Sequence, residues 1–112
     1  MKFSYSLRKS PDFEIVYRKG VSIANRQMVI YYLENGTGCN RIGISVSKKI
    51  GNSVIRHRIK RLIKESYRLN EERFREGVDM VFIARSPLPG MGFDEVEQSF
   101  LHLANKAGML KG

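Results

Sequence analysis

The side chains able to do chemistry in this chain are few, and they do not converge. His57 and His102 are the only histidines and Cys39 the only cysteine, and neither histidine stands with cysteines or carboxylates at metal-ligand spacing, so a structural zinc site is not expected. Asp94, Glu95 and Glu97 form the one acidic cluster, but they fall in the first turns of a predicted helix, where carboxylates meet the positive end of the dipole. No Ser-His-Asp, Cys-His or phosphate-loop pattern is present, and the glycines at 36, 38, 90 and 92 are turn glycines. The chain reads as a binder without its own catalytic centre.

What it has in quantity is positive charge in one place. Lys48 to Arg68 holds eight of the twenty Lys and Arg but only Glu65 of the eleven acids, which accounts for +7 of the formal +9. On a helical wheel Leu69, Leu62, Ile55, Ser66, Ile59 and Ile63 share an arc of roughly 120°, while Lys60, Lys64, His57, Arg68 and Arg61 share one of about 100° on the opposite side. Arg56 and Arg58 sit at the two borders. A solvated face usually mixes signs. Here Lys60 with Lys64, Arg61 with Lys64 and Lys64 with Arg68 are like-charged neighbours, each destabilising a helix by a few tenths of a kcal/mol. A phosphate-lined partner removes that repulsion and releases counterions. Nucleic acid is the favoured polyanion; an acidic membrane surface is the rival, disfavoured because the other helix face is committed to a core.

A second candidate surface comes from aromatic residues interleaved with basic ones. Phe13 and Tyr17 are i,i+4 neighbours, Tyr31 and Tyr32 point to opposite faces of a strand, and Arg18, Lys19 and Arg26 stand among them. Core packing accounts for most of these singly. Together, beside the small outward-facing Gly43 and Ser45, they would suit single-stranded nucleic acid, whose bases stack on rings.

The elements that must position these residues can be read in order. Ser10-Pro11-Asp12 predicts a helix start with Ser10 as cap, ended by Gly20. QMVIYYL at 27–33 and NRIGISVS at 40–47, joined by the turn ENGTG at 34–38, predict a hairpin with one buried face. The basic helix follows, capped by Asn52 or Ser53. VDMVFIA at 78–84 predicts a buried strand, SPLPGMG at 86–92 a break, and the stretch from Phe93 a last helix with Val96, Phe100 and Leu103 on one face and Gly108 at its end. The layout is an α-β sandwich of helices on one small sheet.

At 112 residues and 42% hydrophobic, the chain fits a single domain, 1–112, able to bury a core without metal or disulfide help. The lone cysteine suits a reducing compartment, and no apolar run has the length of a signal peptide or a bilayer span. A soluble, cytoplasmic protein with no membrane partner is therefore the expectation.

GISVSKKIGNSVIRHRIKRLIKESYR at 43–68, with DFEIVYRKG at 12–20, SIANRQMVIYY at 22–32 and VFIAR at 81–85, resembles the bacterial ribonuclease P protein family over nearly the whole chain. The family's basic signature has an Arg-Asn-Arg core; this sequence reads Arg56-His57-Arg58. The resemblance implies an α+β fold: a two-layer α-β sandwich of order αβββαβα, with a four-stranded sheet and a left-handed βαβ crossover. The extra strand would lie near Val21 to Ala24. It implies a protein that binds a large catalytic RNA and the 5′ leader of precursor tRNA, the RNA carrying the active site and using Mg²⁺. By matching positions, Arg56, His57, Arg58, Lys60, Arg61, Lys64 and Arg68 would face the RNA subunit. Phe13, Tyr17, Tyr31, Arg26 and Lys49 would line the leader site. No catalytic residue and no small-molecule substrate are expected on the protein. The other reading of the same charge patch is a structural RNA-binding protein of another ribonucleoprotein, such as the ribosome.

Overall fold

The computed structural model describes residues 1–111. Strand β1 (Ser4–Ser6) and helix α1 (Ser10–Lys19) lead into β2 (Val21–Ala24), β3 (Met28–Glu34) and β4 (Asn40–Ser45). Helix α2 (Ser53–Asn70), β5 (Val78–Ala84) and α3 (Phe93–Lys106) complete a mixed α+β fold, with single 3-10 turns at Glu71–Arg73 and Leu88–Gly90.

The sheet has five strands in the order β1-β4-β5-β3-β2, one more than the four that the family likeness implies. The extra strand is β1, which pairs in parallel with Asn40 to Ile42 of β4. Three residues reading Ser-Tyr-Ser offer no apolar alternation, so the sequence carries no signal for it. Strand β2 lies where expected, at Val21–Ala24.

The predicted hairpin between residues 27–33 and 40–47 does not form. β3 pairs with β2 and β5, β4 pairs with β1 and β5, and β5 stands between the two segments that the ENGTG turn joins. The reason lies in β5 itself. Val78, Met80, Phe82 and Ala84 are buried on one side of it and Asp79 and Val81 on the other, and a strand with both faces covered takes a central place. β4, α2 and β5 thereby form a parallel βαβ unit around the basic helix.

Helices α2 and α3 cover one face of the sheet. Ile59, Ile63 and Tyr67 of α2 and Val96, Phe100 and Leu103 of α3 pack with Met28, Ile30, Ile42, Met80 and Phe82 into one hydrophobic core. Helix α1 lies on the other face, where the Phe13 ring rests on Gly43 and Tyr17 meets Tyr31. Its start differs from expectation: Ser10 is already helical and Lys9 holds the cap position without a side-chain bond. Its end is as expected. Gly20 N–H donates to the Val16 carbonyl at 2.8 Å, and a Cβ there would stand 2.5 Å from that oxygen and 2.6 Å from the Tyr32 carbonyl oxygen. Only glycine lets the chain pass so close to two backbones.

The start of the chain is latched to the end of α2. The Glu71 carboxylate accepts the Lys2 N–H at 2.7 Å and the Phe3 N–H at 2.9 Å, and the Ser4 and Tyr67 hydroxyls are hydrogen-bonded at 2.6 Å. Burial alone would raise the Glu71 pKa, but the Ser4 hydroxyl, the two amides and the N-terminal ammonium outweigh it and hold the carboxyl below its ordinary value of 4.5. A carboxylate with a lowered folded pKa stabilises the fold at pH above that ordinary value, and the contribution is lost as pH falls through the folded value. Glu71→Gln should therefore melt well below the parent at about pH 7, by about 2 kcal/mol for bonds to a charged acceptor, and the gap should close toward about pH 3. A constant gap across that range would contradict the assignment.

No helix among the described residues is long and apolar enough to cross a membrane.

Candidate nucleic-acid interface

Helix α2 opens on Asn52, whose Oδ1 accepts the Ile55 N–H at 3.0 Å, so of the two candidate caps Asn52 is the one used. Its apolar stripe then meets the core and its cations face outward. Ile59, Ile63 and Ser66 are buried, Ile55 and Leu62 half-buried, and His57, Arg58, Lys60, Arg61, Lys64 and Arg68 exposed. Two positions depart from the wheel. Leu69, placed on the core arc, is 54% exposed, and Tyr67, placed nowhere, is fully buried. Tyr67 enters the core edge-on to Phe74 at a centroid distance of 4.9 Å, and its hydroxyl reaches Ser4 and Asn40. Burial raises the Tyr67 pKa, and those two hydrogen bonds oppose the rise.

The cations divide by what holds them. Arg68 is paired with Glu65, its Nε donating to the carboxylate at 2.9 Å, and this bond holds the Glu65 carboxyl below its ordinary value. Arg58 donates to the Met91 carbonyl at 2.9 Å and the half-buried Arg56 to the Gly51 carbonyl at 3.2 Å. Lys60, Arg61 and Lys64 make no ion pair among the described residues. Lys64 thus stands one turn from both Lys60 and Arg61 as a like charge, and all three side chains have their donors free. A helix surface of this kind is stabilised by a polyanion laid along it.

On the other face of the sheet the rings do converge. The Phe13 and Tyr17 centroids are 6.3 Å apart, and Tyr17 meets Tyr31 edge-on at 5.1 Å. Burial raises the Tyr17 pKa, the Ser45 hydroxyl opposes the rise, and Tyr31 adds to it. The register explains the assembly. Gly43, Val81, Tyr31 and Ser22 form one row across four strands, and Ser45, Ile83, Val29 and Ala24 form the next. Gly43 leaves room for the Phe13 ring, since a Cβ there would lie 2.6 Å from it. The second row, beyond α1, stays partly open and can take a base against apolar side chains.

Arg26 and Lys49 are not in ring contact. Both are exposed, in loops just past the second row: Arg26 between β2 and β3, Lys49 between β4 and α2. Arg85, directly after β5, stands at the same sheet end and donates to the Asn25 carbonyl at 2.8 Å. The open row thus ends in positive charge. Lys48 and Lys49 also lie in the segment that carries the chain from the aromatic face round to the cationic helix, so the two surfaces are joined by a basic corner.

One group of positioning residues went unread in the sequence. Asp79, 4% exposed, accepts Arg41 Nε at 2.9 Å and Nη2 at 2.5 Å and Asn35 Nδ2 at 2.9 Å, and Arg41 reaches Asp12 of α1 at 3.7 Å. This chain of charges ties α1 to the sheet beneath its rings. The signal was present: an acid inside the apolar run VDMVFIA must find a partner.

The remaining candidates for chemistry behave as structural groups. Glu95 accepts the Gly92 N–H at 3.2 Å as a capping residue of α3, and Glu97 accepts Asn70 at 3.0 Å. His102 is exposed, Cys39 is a half-buried free thiol, and among the described residues no three His, Cys, Asp or Glu side chains cluster to hold a metal.

Comparison with known proteins is consistent across sequence and structure. The family model described as Ribonuclease P matches residues 1–108. The ribonuclease P protein component of Alkaliphilus oremlandii is 48% identical over 110 residues, covering 98% of this chain and 96% of the relative. That of Clostridium acetobutylicum is 50% identical over 106 residues, covering 93% and 89%. Among solved structures, the RNase P protein of Staphylococcus aureus superposes with a TM-score of 0.89 at 38% identity, covering 96% of this chain and 98% of that one. The RNase P protein of Thermotoga maritima gives 0.85 at 30% identity, with 96% and 98% covered.

Proposed function

The chain belongs to the ribonuclease P protein family, and from that premise we propose that it places a catalytic RNA on one face of its sheet and a substrate strand on the other. It is the protein component of the tRNA-processing endoribonuclease, and its partner is RNA. Arg56, His57, Arg58, Lys60, Arg61, Lys64 and Arg68 bind the RNA subunit. Phe13, Tyr17 and Tyr31, flanked by Arg26 and Lys49, hold the single-stranded 5′ leader of precursor tRNA. The reading is supported above all by the division of the surface: free cations on α2, a cluster of three rings on the opposite sheet face, and a basic corner between them. The relatives favour it over a structural RNA-binding role in another ribonucleoprotein.

The protein's part in the reaction is binding and orientation. Its cations neutralise phosphates of the RNA subunit, and its rings take leader bases, each stack being worth about 1 to 3 kcal/mol. Mg²⁺, when bound, would neutralise charge developing at the scissile phosphate. A cytoplasmic location, where precursor tRNA is met, goes with this role.

The test is cleavage of precursor tRNA at low Mg²⁺ by protein alone, by RNA subunit alone and by both. The expected result is no cleavage by the protein alone and faster cleavage by the pair than by the RNA. Cleavage by the protein alone, or no gain from adding it, overturns the reading. In the reconstituted pair, Tyr17→Ala should weaken precursor tRNA binding by about 1 to 3 kcal/mol and leave mature tRNA unaffected. Equal losses for both substrates would place the leader elsewhere.

A further inference from the structure

Beside the cationic face of α2 the surface is not flat. A groove of about 290 Å³ runs between the helix and the β1 edge of the sheet. Ile42 and Ile44 of β4 form its floor, both packed with the apolar core. His57, Lys60, Arg61 and Lys64 form one wall. Ser6 forms part of the other: the Ser4 hydroxyl reaches Tyr67 of α2, and Ser6, two residues on along the strand, faces the same side.

We infer that this groove receives an unpaired nucleobase of the RNA subunit, with its flanking phosphates on Lys60, Arg61 and Lys64. The inference rests on the reading of α2 as the RNA-subunit interface and adds which kind of RNA element that interface takes. Three features of the site carry it. The floor is aliphatic, so it offers nothing to a phosphate but a flat apolar contact to the face of a base. The rim is cationic and unpaired, so an apolar peptide or a lipid chain would leave its charges unused. The volume accommodates one ring system and not a double helix, which could touch only the lysines and would leave the isoleucines in water. His57 stands at the rim, where a ring N–H or lone pair meets the polar edge of such a base. This gives the residue that replaces the family asparagine a contact of its own.

The experiment fills the groove without removing a charge. Ser6→Phe, in the full chain reconstituted with the RNA subunit, should bind about tenfold more weakly than the parent with the same dependence on salt concentration. A second measurement does not rely on that variant: the Ile42 and Ile44 methyl resonances of the parent protein are followed by NMR. They should shift on adding a single-stranded oligoribonucleotide of about eight residues, and stay in place with an abasic oligomer of the same length. Parent-like affinity of a folded Ser6→Phe, or equal methyl shifts with both oligomers, overturns the groove as a base site while leaving α2 as the RNA interface. Loss of the α2 reading shows itself differently, as failure of the parent protein to bind the RNA subunit at all.

Discussion

Reversing Lys60, Arg61 and Lys64 together to Glu is expected to weaken binding of the RNA subunit by at least two orders of magnitude at about 0.1 M salt. Each phosphate neutralised by a cation contributes roughly 0.7 to 0.9 to the slope of log affinity against log salt, so three contacts contribute between about 2 and 3. Their effect is small near 1 M salt and grows by that power of ten over the decade down to 0.1 M. The variant should therefore show both a lower affinity and a flatter slope, by about 2 to 3 units. Its fold should persist, because none of the three side chains touches the core and none loses an ion pair. Acids at positions 60 and 64 would instead stand one turn from Arg56 and Arg68. A variant that melts like the parent yet keeps the parent's salt slope would remove these residues from the interface.

Asp79→Ala is expected to cost about 3 kcal/mol of stability, at the lower end of the range for stripping one partner from a buried ion pair. The lower end applies because Arg41 keeps 40% of its side chain in solvent and can rehydrate, and because Asn35 Nδ2 keeps its second acceptor, the Cys39 carbonyl at 3.0 Å. For a chain of this size the loss should lower the melting temperature by about 10 °C or more. A second effect follows from the link to Asp12. Arg41, released from the sheet, no longer fixes α1, so the holoenzyme should lose affinity for precursor tRNA in the same direction as Tyr17→Ala. A melting temperature within about 2 °C of the parent would show that the network carries little.

The parts legible in the sequence are those fixed by short periodicities. The α2 stripe, the cap at Asn52, the buried run Val78–Ala84 and the face of Val96, Phe100 and Leu103 all follow from spacing within one element. What was not legible depends on partners far along the chain. Tyr67 is buried because Ser4 and Asn40, from two other strands, satisfy its hydroxyl. The turn at 34–38 looked like a hairpin because the competing strand begins forty residues later, at Val78. β1 has no apolar pattern, and its place is set by Glu71 and Tyr67, which hold the residues around it. For the candidate site the same division holds. The cations could be read as a face of one helix, but that Phe13, Tyr17 and Tyr31 meet is a product of cross-strand register and of Gly43 beneath the ring.

The central place of β5 also sets the order in which the molecule can be built. On one side of it lie β3 and β2, on the other β4 and β1, and these halves share no ladder except through β5. A chain growing from its N-terminus completes α2 before Val78 is made, and α2 leaves the site of synthesis ahead of β5. During synthesis the most basic segment of the protein is therefore displayed without the sheet that will carry it. Closure waits for a pairing across more than thirty residues of sequence, from Arg41 to Asp79, and long-range parallel pairing of this kind is slow. In that interval the nascent chain is a polycation beside a ribosome made largely of RNA.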